Sequence, residues 1–299
     1  MGILIDKVLI IAKQNNIQNY EEFISTFKLS DRMKSVIQII MNLFLLISFY
    51  VMIAGFGAYF SQQWQIPSYI GIAIIILLCY KILLGNIETL MKVNTFLVPI
   101  LILALLMLAG NNLNLGVLIQ EPVGETTLAR AIGKAILYTS YNSIVLIPIL
   151  LSLAGCIKQK TQIKQIALIC TILLIFLAIS VFCLIQTIDI DISKIELPTV
   201  YVAGTMHKSY QILYGIIILA AIYTSAISAG YGFLEKYQTK QKQYKRNLII
   251  MCAVAFFVSK VGFTTLVNLL YPICGVLGFL QMLIILLAKK IQRHTKKPL

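Results

Sequence analysis

The stretch SVIQIIMNLFLLISFYVMIAGFGAYF, residues Ser35 to Phe60, contains no charged side chain from end to end. A helix needs about 20 mostly apolar residues to cross the hydrocarbon core of a bilayer. This run exceeds that length, so it reads as a spanning helix. Seven further segments follow the same pattern, at 68–86, 93–110, 129–153, 165–187, 208–232, 247–262 and 265–288. The span at 247–262 is the shortest, and it is weakly separated from the next at Gly262-Phe263-Thr264-Thr265. Composition agrees: 59% of the 299 residues are hydrophobic, 12% are charged, and the mean hydropathy is +0.89. Soluble domains run at about 45–50% apolar and about 25% charged. A water-soluble enzyme is therefore excluded. The expected class is all-α, a polytopic membrane protein with eight full transmembrane helices.

The net charge of +14 would by itself suggest nucleic acid as a partner, but the cations are sorted along the chain. Twenty of the 25 Lys and Arg residues fall in 1–34, 81–92, 154–164, 235–246 and 289–299, all on one side if the spans alternate. The other side holds Arg130, Lys134, Lys194, Lys208 and Lys260. Positive charge marks the cytoplasmic side, so both termini are expected to be cytoplasmic, in a cell membrane, with the lipid bilayer rather than nucleic acid as partner. The opposite loops carry Glu121, Glu125, Asp189, Asp191 and Glu196. Phe60, Trp64 and Tyr69 suit an aromatic belt at that outer interface, and Lys81 is expected to snorkel at the inner one. The six cysteines (Cys79, Cys156, Cys170, Cys183, Cys252, Cys274) lack metal-ligand spacing and read as small core residues.

Two short patterns recur. Ala54-Gly55-Phe56-Gly57 matches Ala229-Gly230-Tyr231-Gly232, and Val93-Asn94 with Pro99-Ile100 matches Val267-Asn268 with Pro272-Ile273. The first and sixth spans enter from opposite sides, so the halves are inverted, as in many secondary transporters. Carrying the offset back from 165–187 places a counterpart that ends at residue 12. The stretch 2–12 is apolar but too short to cross, and it carries Asp6 and Lys7. Alone it would be a surface helix, and it lacks the basic start and cleavage site of a signal peptide. Within the repeat it becomes the end of a helix, and the sequence then reads as a five-plus-five repeat short of its first helix and most of its second. An in-frame apolar, glycine-rich segment encoded upstream is the corresponding expectation.

Polar residues inside a membrane are costly and mark functional positions. Tyr138-Thr139-Ser140-Tyr141-Asn142-Ser143 interrupts the fourth span, with Pro148 beyond it, and a local break of the helix is expected there. Tyr223-Thr224-Ser225 with Ser228 in the sixth span offers hydroxyl ligands for a small cation. The structural alternative in both places is back-bonding to the helix's own carbonyls or packing between helices. For Gly55, Gly57, Gly230 and Gly232 it is close helix contact. No carboxylate occupies the middle of a span, and no catalytic set of an enzyme is visible.

These stretches resemble the YkvI-like membrane proteins, a bacterial family of the amino acid–polyamine–organocation transporter superfamily with the LeuT-type fold. The resemblance rests on Tyr20-Glu21-Glu22-Phe23, Ala54-Gly55-Phe56-Gly57-Ala58, Lys92-Val93-Asn94 through Val98-Pro99, Leu137-Tyr138 with Tyr141-Asn142, Tyr223-Thr224-Ser225-Ala226 with Gly230-Tyr231-Gly232, and Leu266-Val267 through Tyr271-Pro272 and Gly275. It implies ten helices, of which the eight spans here are helices 3–10, and it makes the 138–143 cluster part of the unwound sixth helix. It implies a single transporter domain over 1–299. Residues 1–34 would hold the helix end and a cytoplasmic loop, 35–110 the rest of the first repeat, 129–288 the second repeat, and 289–299 a basic tail. Tyr138, Thr139, Ser140, Tyr141 and Asn142 would bind substrate. Ala221, Thr224 and Ser225 have the carbonyl-and-two-hydroxyl spacing of a Na⁺ site in sodium-coupled relatives. The expected function is secondary transport of a small polar solute, an amino acid foremost, coupled to Na⁺ or H⁺ with no other cofactor. The alternative is a receptor or assembly subunit that keeps the fold without transport, as spore-germinant receptor subunits do.

Overall fold

A computed structural model describes every residue except 18, 28, 86–87, 113–127, 156, 158, 189, 192–194, 235–236, 238–240 and 288–299. The acidic loop around Glu121 and Glu125, Asp189 and the basic tail therefore lie outside the described residues. The described residues form helices and no strand. In order they are α1 (Gly2–Asn15), α2 (Tyr20–Ser25), α3 (Asp31–Trp64), α4 (Ser68–Leu83), α5 (Glu88–Asn112), α6 (Leu128–Ala154), α7 (Lys160–Ile185), α8 (Pro198–Met206), α9 (Lys208–Leu234), α10 (Gln241–Ser259) and α11 (Phe263–Leu287). Eight of these coincide with the eight apolar segments of the sequence. Four of them (α3, α7, α9, α11) are long and apolar enough to cross a membrane, while α4 and the Phe96–Asn111 part of α5 are shorter apolar helices. On α7, Leu168, Ile169, Ile172, Ile175, Phe176, Ile179 and Phe182 are all exposed. So wide an apolar surface marks contact with lipid or a partner rather than with water.

The chain divides into two compact units. Unit 1 comprises residues 1–44, 122–175 and 270–299; unit 2 comprises 45–121 and 176–269. In unit 1, α1 buries Leu4, Ile5, Val8, Leu9, Ile11 and Ala12 and packs against α6. The stretch 2–12 is thus an interior helix, not one lying on a surface. Lys7 Nζ donates to the Leu286 carbonyl at 2.6 Å, and Lys13 Nζ donates to that of Ile157. Helix α1 ends where Asn16 turns left-handed (φ 56°), a conformation that asparagine tolerates. Asn19 then caps α2, its side chain accepting from Glu22 N at 2.8 Å.

Unit 2 is built around α3, α4, α9 and α10, with Phe49, Ile53, Ile72, Ile75, Leu83 and Ile227 at its centre. Cys79 and Cys252 are buried in that core, as expected of small apolar residues. Phe60, assigned above to the aromatic belt, is instead buried and packs against Trp64 at 4.6 Å between ring centroids. It sits one turn before Trp64 on α3, on the face that meets Gly71, and that neighbour decides its burial. Trp64 and Tyr69 remain exposed.

The paired glycines of the repeat pack tightly. A Cβ on Gly57 would lie 2.7 Å from the Ser68 carbonyl and 2.7 Å from Ile72 Cγ1. One on Gly55 would meet Phe263 at 3.2 Å, one on Gly230 Phe49 at 3.1 Å, and one on Gly232 Leu45 at 3.2 Å. Small residues at such contacts let helices approach where no hydrophobic force drives them together. The prolines of the second repeated pattern, Pro99 and Pro272, both lie inside continuous helices, α5 and α11. The loop expected between the fifth and sixth spans contains a short helix, α8, which starts with Pro198 in its first turn.

Gly57→Leu should destabilise the protein by about 1–3 kcal/mol, the usual cost of overpacking, and lower the thermal unfolding midpoint in detergent. Gly110→Ala, where a Cβ meets nothing within 4 Å, should leave that midpoint unchanged or slightly raised.

Candidate functional site

The polar residues of the fourth span sit on α6, in unit 1. Helix α6 runs unbroken through them, which corrects the expected local break at 138–143. The physical reason lies in the side chains. Ser140 Oγ donates to the Ile136 carbonyl at 2.7 Å, Asn142 Nδ2 to that of Tyr138 at 2.8 Å, and Ser143 Oγ to that of Ser140 at 2.6 Å. Each hydroxyl or amide thus finds its partner on its own helix, and no main-chain group is freed. Ser140 and Ser143 are fully buried, whereas Tyr138 is 64% exposed and Thr139 is half-buried.

Three tyrosines gather on this part of unit 1. Tyr138 meets Tyr141 edge-on at 5.3 Å, and Tyr141 stacks on Tyr271 of α11 at 4.3 Å. Helix α11 comes this close because its facing residues are small. A Cβ on Gly275 would lie 3.0 Å from the Leu137 carbonyl, and one on Gly278 would collide with the Ser140 carbonyl. Tyr271, Gly275 and Gly278 stand at i, i+4 and i+7, one face of a helix. That spacing is visible in the sequence, but nothing local in it points to Tyr141. Further along α11, Gln281 Nε2 donates to Tyr20 Oη at 2.8 Å. Burial pushes the Tyr20 phenol well above its ordinary pKa, and the Gln281 bond opposes this only in part. On α1, Asp6 Oδ1 is buried without a hydrogen-bond partner among the described residues.

The second candidate cluster lies on α9, in unit 2. Thr224 Oγ1 donates to the Ala221 carbonyl at 3.2 Å, and Ser228 Oγ donates to the Thr224 carbonyl at 2.9 Å. Thr224 is buried and Ser225 is exposed, so the two hydroxyls leave the helix on different faces. Thr224 and the Ala221 carbonyl lie together; Ser225 is not turned with them. Among the described residues no group of His, Cys, Asp and Glu is arranged to hold a metal ion.

Replacing Tyr271 by Phe should preserve the stack on Tyr141, whereas Tyr271→Ala should remove a ring pair worth about 0.5–1.5 kcal/mol beyond its buried area. Thermal unfolding of the two variants side by side measures the difference, with only the alanine variant falling clearly below wild type.

No family model matches the chain. Over 96% of its length it is 27% identical to a Bacillus subtilis (strain 168) protein described as the uncharacterized membrane protein YkvI, of which it covers 83%. That similarity, together with helices long and apolar enough to span, identifies the chain as a helical, multi-pass membrane protein.

Proposed function

We propose that the protein is a secondary transporter of the cell membrane, moving a small polar solute, an amino acid foremost, on a Na⁺ or H⁺ gradient. The observation that carries this reading is the division into two units interleaved in sequence. The chain passes between them four times, and α3, α7 and α11 each continue from one into the other. Alternating access needs two bodies that move against each other while continuous elements hold them together. The polar face of α6 belongs to one unit and the Thr224 region of α9 to the other. We read the fold as a LeuT-like inverted repeat, with α3 to α7 and α9 to α11 as its helices 3–10. The recurring glycines, the in-helix prolines and the burial of α1 support this. The distribution of Lys and Arg supports cytoplasmic termini.

In this reading Tyr138, Thr139, Tyr141 and Asn142 supply the solute-facing surface of α6, with Ser140 buried behind it. Because that helix is continuous, its side chains and not freed carbonyls make the contacts. Thr224 gives its proton to the Ala221 carbonyl, which leaves the lone pairs of its hydroxyl available to a hard cation. Ser225, the second hydroxyl that the spacing suggests, leaves α9 on another face, so the candidate Na⁺ site rests on Thr224.

Uptake into proteoliposomes tests the proposal. Labelled amino acids should accumulate when a Na⁺ or H⁺ gradient is imposed, and an ionophore should release them. Thr224→Ala with Ser225→Ala should abolish dependence on Na⁺. Na⁺-driven uptake that is unchanged in this double variant contradicts the ion site. No accumulation of any amino acid under either gradient contradicts transport and favours a receptor or assembly subunit.

A further inference from the structure

Unit 2 contains a cavity of about 210 Å³ that the transport reading does not use. Small residues create it: Ala54 and Ala58 of α3 and Ser259 at the end of α10 are buried along its floor. Ser61 stands exposed at its mouth, with Ser68 at the start of α4. Gly262, at φ 102°, turns the chain from α10 into α11, and the Phe263 ring follows as one wall.

The polar groups of this cavity are predominantly acceptors. Glu196 Oε2 is occupied, accepting from Thr264 N and Thr264 Oγ1, each at 2.9 Å. Oε1 lies on the Gly262 side and has no hydrogen bond or ion pair among the described residues. Lys260, the cation nearest Gly262 in sequence, places its Nζ over the Phe256 ring at 4.2 Å. Gln62 is held in place at the wall, its Nε2 donating to the Leu197 carbonyl at 3.1 Å and its Oε1 accepting from Leu197 N at 2.8 Å, which leaves it one N–H and one lone pair. Ser259 Oγ donates to the Tyr50 carbonyl at 3.0 Å, so it can only accept. A carboxylate oxygen, a hydroxyl with its proton committed and an aromatic face together select a ligand that is positively charged and rich in donors. The carboxylate disfavours an anion, and a neutral donor would forgo both the charge and the ring.

We propose that this cavity binds a small organic ammonium ion bearing hydroxyl groups. The ammonium meets Glu196 Oε1 and the Phe263 ring, and its hydroxyls reach Ser61 and Ser68. The site lies wholly within unit 2, so binding needs neither a gradient nor transport, and either proposal can fail without the other.

The test uses the full chain in phosphatidylglycerol nanodiscs, whose headgroups carry no amine. The probe is diethanolammonium at neutral pH, compared with diethylene glycol, which has the same size and hydroxyls but no charge. Thermal stabilisation should saturate with diethanolammonium and be absent with diethylene glycol. Glu196→Gln keeps an acceptor for Thr264 and removes only the charge; it should weaken binding by about tenfold or more, the loss expected for a charge-assisted hydrogen bond. Ala58→Leu should fill the cavity and abolish binding, and the unliganded unfolding midpoint of each variant reports whether it has folded. Absence of saturable binding by the wild type, equal binding of the neutral probe, or wild-type affinity in a folded Glu196→Gln variant would overturn the proposal.

Discussion

A main-chain amide surrounded by hydrocarbon has no water to bond, and its own helix is the nearest place to find a partner. That constraint governs this protein at every level. It accounts for the helices that fill the described residues and for the behaviour of hydroxyl side chains within them. Ser140, Thr171, Ser180 and Thr224 all donate to carbonyls three or four residues back on the same helix. Each hydroxyl thereby becomes inexpensive to bury and keeps its lone pairs for another use. The polar residues of α6 and α9 can therefore sit inside an apolar bundle without breaking it.

With backbone groups satisfied locally, what remains to hold helices together is close contact. Gly57 against Ser68 and Ile72, Gly230 against Phe49 and Leu83, and Gly275 and Gly278 against α6 perform this role. In the last case the tight approach also brings Tyr271 onto Tyr141, so packing and the candidate solute surface share one cause. Where small residues line a helix face without filling the gap beside it, as Ala54 and Ala58 do on α3, a cavity is left.

The positions of the eight apolar helices were legible because hydropathy records the bilayer directly. The observed bounds differ by a few residues from the segments read from the sequence. The burial of the stretch 2–12 was legible only through the repeat, since its composition alone pointed to a surface. The break at 138–143 was misread because polarity along a line of sequence does not reveal where each hydroxyl sends its proton. Phe60 was misplaced because a belt position and a core position can be one helical turn apart. The tyrosine cluster was half legible: Tyr138 and Tyr141 belong to one local pattern, but Tyr271 joins them from a distant helix. Glu196 counted only as one acid of a loop, since its cavity is assembled from four separate stretches of chain.

Alternating access requires the two units to move against each other while each keeps its own core. Distances between spin labels measured by double electron–electron resonance in nanodiscs address this directly. Cysteines introduced by Ser25→Cys and Gln241→Cys report across the units, and Leu84→Cys with Gln241→Cys reports within unit 2, in a background lacking the six native cysteines. Alternating access predicts that the first distance distribution shifts or splits when Na⁺ or amino acids are added, while the second stays single and unchanged. A first distribution that stays fixed under every added ion and solute would contradict the account.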